Sequence, residues 1–240
     1  MAYTSWRGVI GCIKPTLRPG GTEELIRLLP EGIGVIPLFL NITRGTREEF
    51  SGAVPAYLPL IEELVEQKVD LILPEGAPPF MLLGYKGEQE LIRKWEKKYK
   101  TPMFTSGQNQ VNALKALKIK KFVGATYAPV QATIGAKYFK EAGFDVLAME
   151  AIDVPFHEVG QISPHQIYAM IKKAAVKHPK AEGIYMLGTG WRSLDVIDWL
   201  EQDLGIPVVH AVNARCWEIQ KRLHVRQRIK GFGQILETMP

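Results

Sequence analysis

Short, unbroken apolar runs alternate along this chain with longer stretches in which apolar side chains recur every three or four positions. The runs Gly8–Ile13, Val35–Leu40, Leu71–Leu73, Met103–Thr105, Phe122–Thr126, Val146–Met149, Ile184–Leu187 and Val208–His210 predict strands. They are continuous rather than alternating, the pattern of strands covered on both faces of a parallel sheet. Between them the helices announce their own starts and faces. Ser163 predicts an N-cap, with Pro164 at the first helical position and Gln166 closing a capping box. The helix that follows carries Ile167, Met170, Ile171, Ala174 and Ala175 on one face. Thr46 and Glu49 predict a second capping box, with Pro55 and Pro59 kinking or breaking what comes after. Leu91, Ile92, Trp95 and Tyr99 form a third stripe, and Leu194, Ile197, Leu200 and Leu204 a fourth. Alternation of this kind predicts an α/β fold of parallel βαβ units.

The pattern also repeats. GCIKP (Gly11–Pro15) matches ATYAP (Ala125–Pro129) at an offset of 114, and Val35 matches Val146 at 111. DLILPEGA (Asp70–Ala77) matches GIYMLGTG (Gly183–Gly190) at 113, and TPMF (Thr101–Phe104) matches IPVV (Ile206–Val209) at 105. Four strands thus recur in one order, the first half carrying about eight extra residues within PPFMLLGY. The expected architecture is two pseudo-symmetric four-stranded halves, residues 1–115 with the C-terminal 226–240, and residues 116–225. Ligands of open parallel sheets bind beyond the carboxyl ends of the strands. The loops PEGAPPF and GTGWR should therefore meet at one site.

Composition narrows the function classes. The 240 residues are 46% hydrophobic and 23% charged, ordinary values for a folded protein. No run of roughly 18 apolar residues predicts a membrane span. The first residues lack a signal-peptide pattern, and a cytoplasmic location is expected. The net charge of +5 gathers at Lys115–Lys121 and Lys221–Lys230. These clusters read as solvated faces or as a mild attraction for anionic substrates, not as a nucleic-acid motif. Two cysteines, Cys12 and Cys216, cannot build a disulfide framework or a zinc site, and no histidine pair has ligand spacing. No metal, cofactor, nucleic-acid or membrane partner is expected; association into a homo-oligomer stays open.

With IGCIKP, TSGQNQVNALKAL, FVGATYAP, GIYMLGTGWRSLDVI and GIPVVHAVNARCW in this order, nearly the whole chain resembles the aspartate/glutamate racemase superfamily, in its arylmalonate decarboxylase and maleate isomerase branch. The resemblance implies an active site between two halves. It also implies acid/base or nucleophilic cysteines after the third strand of each half, a pair in racemases and maleate isomerase and only the second in arylmalonate decarboxylase. Here those positions hold Glu75 and Gly188. Thiol chemistry is therefore not inherited.

Glu75 at the end of a buried strand is the candidate proton-transfer group, since desolvation raises a carboxyl pKa toward the useful range. The alternative is a carboxylate that caps the next segment or pairs with an arginine. Gly76, Ala77, Gly188, Thr189 and Gly190 match positions that, by the resemblance, offer backbone N–H groups and hydroxyls to a substrate carboxylate. Such a cradle would hold an enediolate. Tyr127, one residue before a family tyrosine, is either a catalytic contact or a core ring. Lys14, Pro15 and Arg192 stand on strand-end loops facing the expected cleft, Arg192 either gripping a carboxylate or making a surface ion pair. His210 ends the last strand, as a packing residue or a proton shuttle.

The functional expectation is a cofactor-independent decarboxylase or isomerase of a small carboxylate or dicarboxylate, passing through an enediolate-like anion. A hydrolase or hydratase in which Glu75 activates water is the second reading, and a non-catalytic carboxylate-binding protein the third.

Overall fold

The computed structural model describes residues 4–240. The first half runs β1 (Gly8–Lys14), α1 (Thr22–Leu28), β2 (Ile33–Phe39), α2 (Arg47–Gly52), α3 (Tyr57–Glu66), β3 (Leu71–Pro74), α4 (Ala77–Met81), α5 (Gly84–Tyr99) and α6 (Ser106–Ala116). The second runs β4 (Lys121–Thr126), α7 (Pro129–Glu141), β5 (Asp145–Ala151), α8 (Pro164–Lys177), β6 (Gly183–Met186), α9 (Leu194–Leu204), β7 (Val208–His210) and α10 (Ala211–Arg222), with α11 (Gln234–Thr238) closing the chain. Among the described residues no helix is long and apolar enough to cross a membrane.

The two halves have the same strand order. One sheet is β2-β1-β3 and the other β5-β4-β6-β7, all pairs parallel. Gly11 lies between Ile36 and Ile72, and Gly124 between Met149 and Tyr185, so all three positions share an offset of 113. That register makes Lys14 and Tyr127 the equivalent strand-end residues, one position away from the motif match at 114.

The expected fourth strand of the first half is reduced to a single parallel bridge, Ile72 to Met103. Two backbone bonds hold it, Ile72 N–H to the Pro102 carbonyl at 3.0 Å and Phe104 N–H to the Ile72 carbonyl at 3.2 Å. Its counterpart β7 pairs over three residues and carries β-branched Val208 and Val209, which suit a strand better than Met103 and Phe104 do. The extra residues of the first half form α4, which packs against α5, α6 and α7 and so reaches the second half.

The helix starts follow the sequence signals. Ser163 and Gln166 form the reciprocal capping box with Pro164 at the first position. Thr46 caps α2 by accepting the Glu49 N–H, but the Glu49 carboxylate turns to the backbone of Arg44 and Gly45 instead of closing a box. Pro55 sits in a short 3₁₀ turn between α2 and α3. After α10 the chain first touches the first half, where Arg7 donates to Gln227. The terminal helix α11 then docks on β7 and α10 of the second half.

The halves meet mainly through α6 and α1 against α10, and through α4 and α5 against α7. A buried acid lies at the second of these contacts. Glu88 of α5 is fully buried and accepts hydrogen bonds from Thr105 Oγ1, at 2.6 Å, and from the Tyr138 hydroxyl. Burial pushes its carboxyl from an ordinary 4.5 up to about 7, against the pull of those two bonds. Folding therefore favours protonated Glu88, and its contribution to stability falls as pH rises from about 4.5 to about 7. Glu88→Gln should remove that fall. Denaturant titrations should show the variant gaining on the wild type by up to about 3 kcal/mol above pH 7, and by little near pH 4.

Candidate active site

Glu75 leaves β3 with its N–H bonded to the Ile13 carbonyl at 2.9 Å, while its own carbonyl accepts the Tyr57 hydroxyl at 2.5 Å. The next residue, Gly76, has φ of +99°, and a Cβ there would sit 2.9 Å from the Tyr57 hydroxyl and 3.0 Å from Pro15. Only glycine suits this turn, which swings α4 around the side chain of Glu75. The Glu75 side chain is 2% exposed, and its Oε1 lies 2.9 Å from Nη1 of Arg215, also 2% exposed, on α10 of the other half. At that distance each charge offsets part of the cost of burying the other. Of the two readings of Glu75, the structure shows the carboxylate paired with an arginine.

The pair lines a cavity between the two halves. Its volume is about 50 Å³, room for a small ligand only. Its walls bring together Glu75, Gly76, Ala77, Lys14, Pro15, Tyr127, Gly188 and Thr189 from the sequence-based candidates. Lys14 is largely committed to the fold, because Nζ donates to the carbonyls of Arg18 and Gly20. Burial, more than any neighbouring charge, draws its pKa down. Tyr127 is 4% exposed and stacks edge-on against Trp191, with ring centroids 5.7 Å apart.

Three candidates lie elsewhere. Arg192 points outward, its side chain 70% exposed and bonded to Asp195 at 2.6 Å, whereas its neighbour Trp191 is the residue the turn buries. Gly190 does not line the cavity; it lets two loops cross, since a Cβ on Gly20 would stand 2.9 Å from its Cα. His210 is fully buried as the N-cap of α10. Its Nδ1 accepts the Val212 N–H, so Nε2 carries the proton toward the Gly188 carbonyl, at 3.0 Å, and Ser193 Oγ, at 2.7 Å. Burial takes its pKa down to about 3 despite the Gly188 bond. It is a neutral structural residue.

Sequence reasoning passed over Arg215, Arg18, Ser106, Gln110 and Gln131, all cavity residues. Arg18 lies 3.8 Å from the Phe156 ring centroid, donates to the Phe156 carbonyl at 2.6 Å and reaches the Tyr127 hydroxyl at 3.4 Å. A signal for two of them was present. Gln110 and Arg215 share the offset of 105 that relates Thr101 to Ile206. Equivalent residues of the repeat should both face its axis.

A family model described as arylmalonate decarboxylase matches residues 35–236. The chain belongs to this family. Its fold is that of the maleate isomerase of Pseudomonas putida, at 19% identity and TM-score 0.90 over 97% of this chain and 99% of that one. The maleate cis-trans isomerase of Nocardia farcinica gives 20% identity and 0.86 over 96% and 98%. A liganded double mutant of arylmalonate decarboxylase gives 17% and 0.87 over 96% and 99%. No curated protein sequence matches.

Within the arylmalonate decarboxylase family this member departs at both thiol positions named by the resemblance. Glu75 occupies one. Gly188 occupies the other, with φ of +94° and no room for a side chain, because a Cβ would lie 2.5 Å from Tyr127 Cε1. The Tyr127 ring stands where a second acid/base side chain would project. Gly188→Ala should therefore displace Tyr127 and destabilise the fold by about 1–3 kcal/mol, readable in a urea melt.

The two cysteines that remain are buried, Cys12 in β1 and Cys216 in α10. Burial raises both thiols, Cys216 to about 12. Neither should react with a thiol reagent in the native state, both should react in urea, and treating the folded protein with iodoacetamide should leave turnover intact.

Proposed function

We propose that the chain is a cofactor-independent enzyme that takes a proton from the carbon beside a small substrate's carboxylate, using Glu75 as base. The observation that supports this most is the Glu75–Arg215 pair, which sets an ionised carboxylate on the wall of the cavity. Proton removal leaves an enediolate-like anion. Backbone N–H groups around Gly76, Ala77, Gly188 and Thr189, with the Thr189 hydroxyl, would hold its oxygens, and Tyr127 beside Arg18 would contact the same carboxylate. Where the substrate carries a double bond next to that carbon, the anion spreads over it, and Glu75 returns the proton at the far end on the same face as the double bond shifts, giving an isomer. Decarboxylation reaches the same anion by losing CO2, but it needs a group that begins protonated. The ion pair therefore favours the isomerase over the decarboxylase reading.

An ionised base on a cavity wall also activates water. A hydratase or hydrolase is for that reason the second reading. Solvent isotopes separate the two: deuterium entering the substrate carbon without ¹⁸O supports isomerisation, and ¹⁸O in the product supports water attack.

Glu75→Gln preserves shape while removing the titrating group. Turnover of a substrate found by screening small carboxylic acids should fall on the order of 10²–10⁴-fold, with a much smaller change in binding. A Gln variant that turns over normally, folded by its thermal melt, would reduce Glu75 to a structural partner of Arg215.

A further inference from the structure

The floor of the cavity has a feature that the carboxylate cradle does not explain. Ser106 and Ala211, the first residues of α6 and α10, both line it, so two helix N-termini meet there. Both helices are held by capping boxes at equivalent positions, Thr105 with Gln108 and His210 with Asn213. One turn on stand Gln110 and Arg215. Helix N-termini carry partial positive charge.

The side chains on this floor have unused hydrogen-bonding capacity. Ser106 is 3% exposed, Gln110 0% and Arg215 2%. Ser106 Oγ, Gln110 Nε2, and Arg215 Nε and Nη1 all lack a hydrogen-bond partner. Gln110 is held by its other end, where Oε1 accepts the Tyr185 hydroxyl at 2.6 Å. The Glu75–Arg215 contact is close at 2.9 Å but not aligned as a hydrogen bond, since Glu75 Oε1 is itself without a partner. Buried donors left unmatched are costly and uncommon. Four on one cavity floor mark a site for an acceptor.

We infer that Ser106, Gln110 and Arg215 form an oxyanion site on the cavity floor, built to take a carboxylate group, and that Glu75 competes with that group for Arg215. This rests on the reading of the cavity as a carboxylate site and adds a second anchor, separate from the cradle at Gly76 and Thr189. A bound carboxylate shares the guanidinium and weakens its hold on Glu75. The other titratable groups around Glu75 are the Cys12 thiol, the Tyr57 phenol and the Lys14 ammonium. The first two carry no charge to replace the arginine, and Lys14 is bound to carbonyls of its own loop. No second cation therefore takes the place of the guanidinium beside Glu75 when the floor is filled.

Calorimetry with succinate as the probe tests this without a known substrate. Ser106→Ala removes a hydroxyl that holds nothing in the fold, so its melting temperature should stay put while succinate affinity falls roughly tenfold. Gln110→Glu keeps the acceptor for Tyr185 and should weaken succinate at least as much. Glu75→Gln removes the competitor and should bind succinate about tenfold tighter. Succinate binding that ignores Ser106 and Gln110, or that Glu75→Gln does not tighten, would overturn the floor site and leave the Glu75 mechanism to its own test. A wild type that binds neither succinate nor acetate at tens of millimolar would instead overturn the carboxylate reading beneath it.

Discussion

A charge pair buried between two halves of one chain governs the geometry of this protein. Moving a carboxylate and a guanidinium out of water costs several kcal/mol for each ion, and removing one partner leaves the other stranded at a cost of about 3–5 kcal/mol. Glu75 and Arg215 are tolerated because each supplies the other's countercharge at 2.9 Å. Glu75 is fixed by β3, by the Tyr57 hydroxyl on its carbonyl and by the left-handed turn at Gly76. Arg215 is fixed by α10, whose first turn is locked by His210. Since the two residues come from different halves, the cavity and the packing of the halves depend on the same contact.

The duplication shows which positions the fold requires. Thr105 and His210 both cap a helix, and Glu96 and Glu201 both accept the backbone N–H at the start of the following strand segment, from Met103 at 2.8 Å and Val208 at 2.7 Å. These equivalent pairs keep the same task even where the residue type has changed. At the cavity the equivalents part company. Glu75 faces Gly188, Lys14 corresponds to Tyr127, and Gln110 to Arg215. Two matching scaffolds thus carry one unsymmetrical set of side chains, as expected where function is placed on a fold and not dictated by it.

Much of this was legible in the sequence, and the rest was hidden for identifiable reasons. Strands covered on both faces have a plain apolar signature, so seven of the eight predicted runs became strands; the eighth, at Met103, kept a single bridge. Capping is local, so Ser163 and Gln166 could be read directly. Glycines that open the loops around Glu75 and Gly188 were legible because backbone approach leaves few alternatives. Long side chains were not. Arg215 reaches Glu75 from 140 positions away in sequence, and Arg18 crosses to Phe156 of the other half. Arg192 misled for the complementary reason: a turn decides which of two neighbouring residues faces inward, and here it buried Trp191. His210 was open between packing and proton transfer, because the sequence does not show that its imidazole spends both nitrogens on the start of α10 and on the Gly188 loop.

The geometry around Gly188 also limits the stereochemistry open to the site. Inversion at a carbon needs a group to remove a proton on one face and another to deliver it on the opposite face. Here the position opposite Glu75 in the repeat has no side chain, and the space a side chain would need is filled by the Tyr127 ring. That ring is wedged between Trp191, 5.7 Å away, and the guanidinium of Arg18, 5.5 Å from its centroid. A ring held on both sides cannot swing aside to admit another acid. The Arg18 guanidinium, 3.4 Å from its hydroxyl, adds positive charge where an oxyanion would lie. Under the proposed mechanism, proton transfer would be confined to the Glu75 face, and Arg215, 2.9 Å from Glu75, would be shared between that carboxylate and a carboxylate of the substrate.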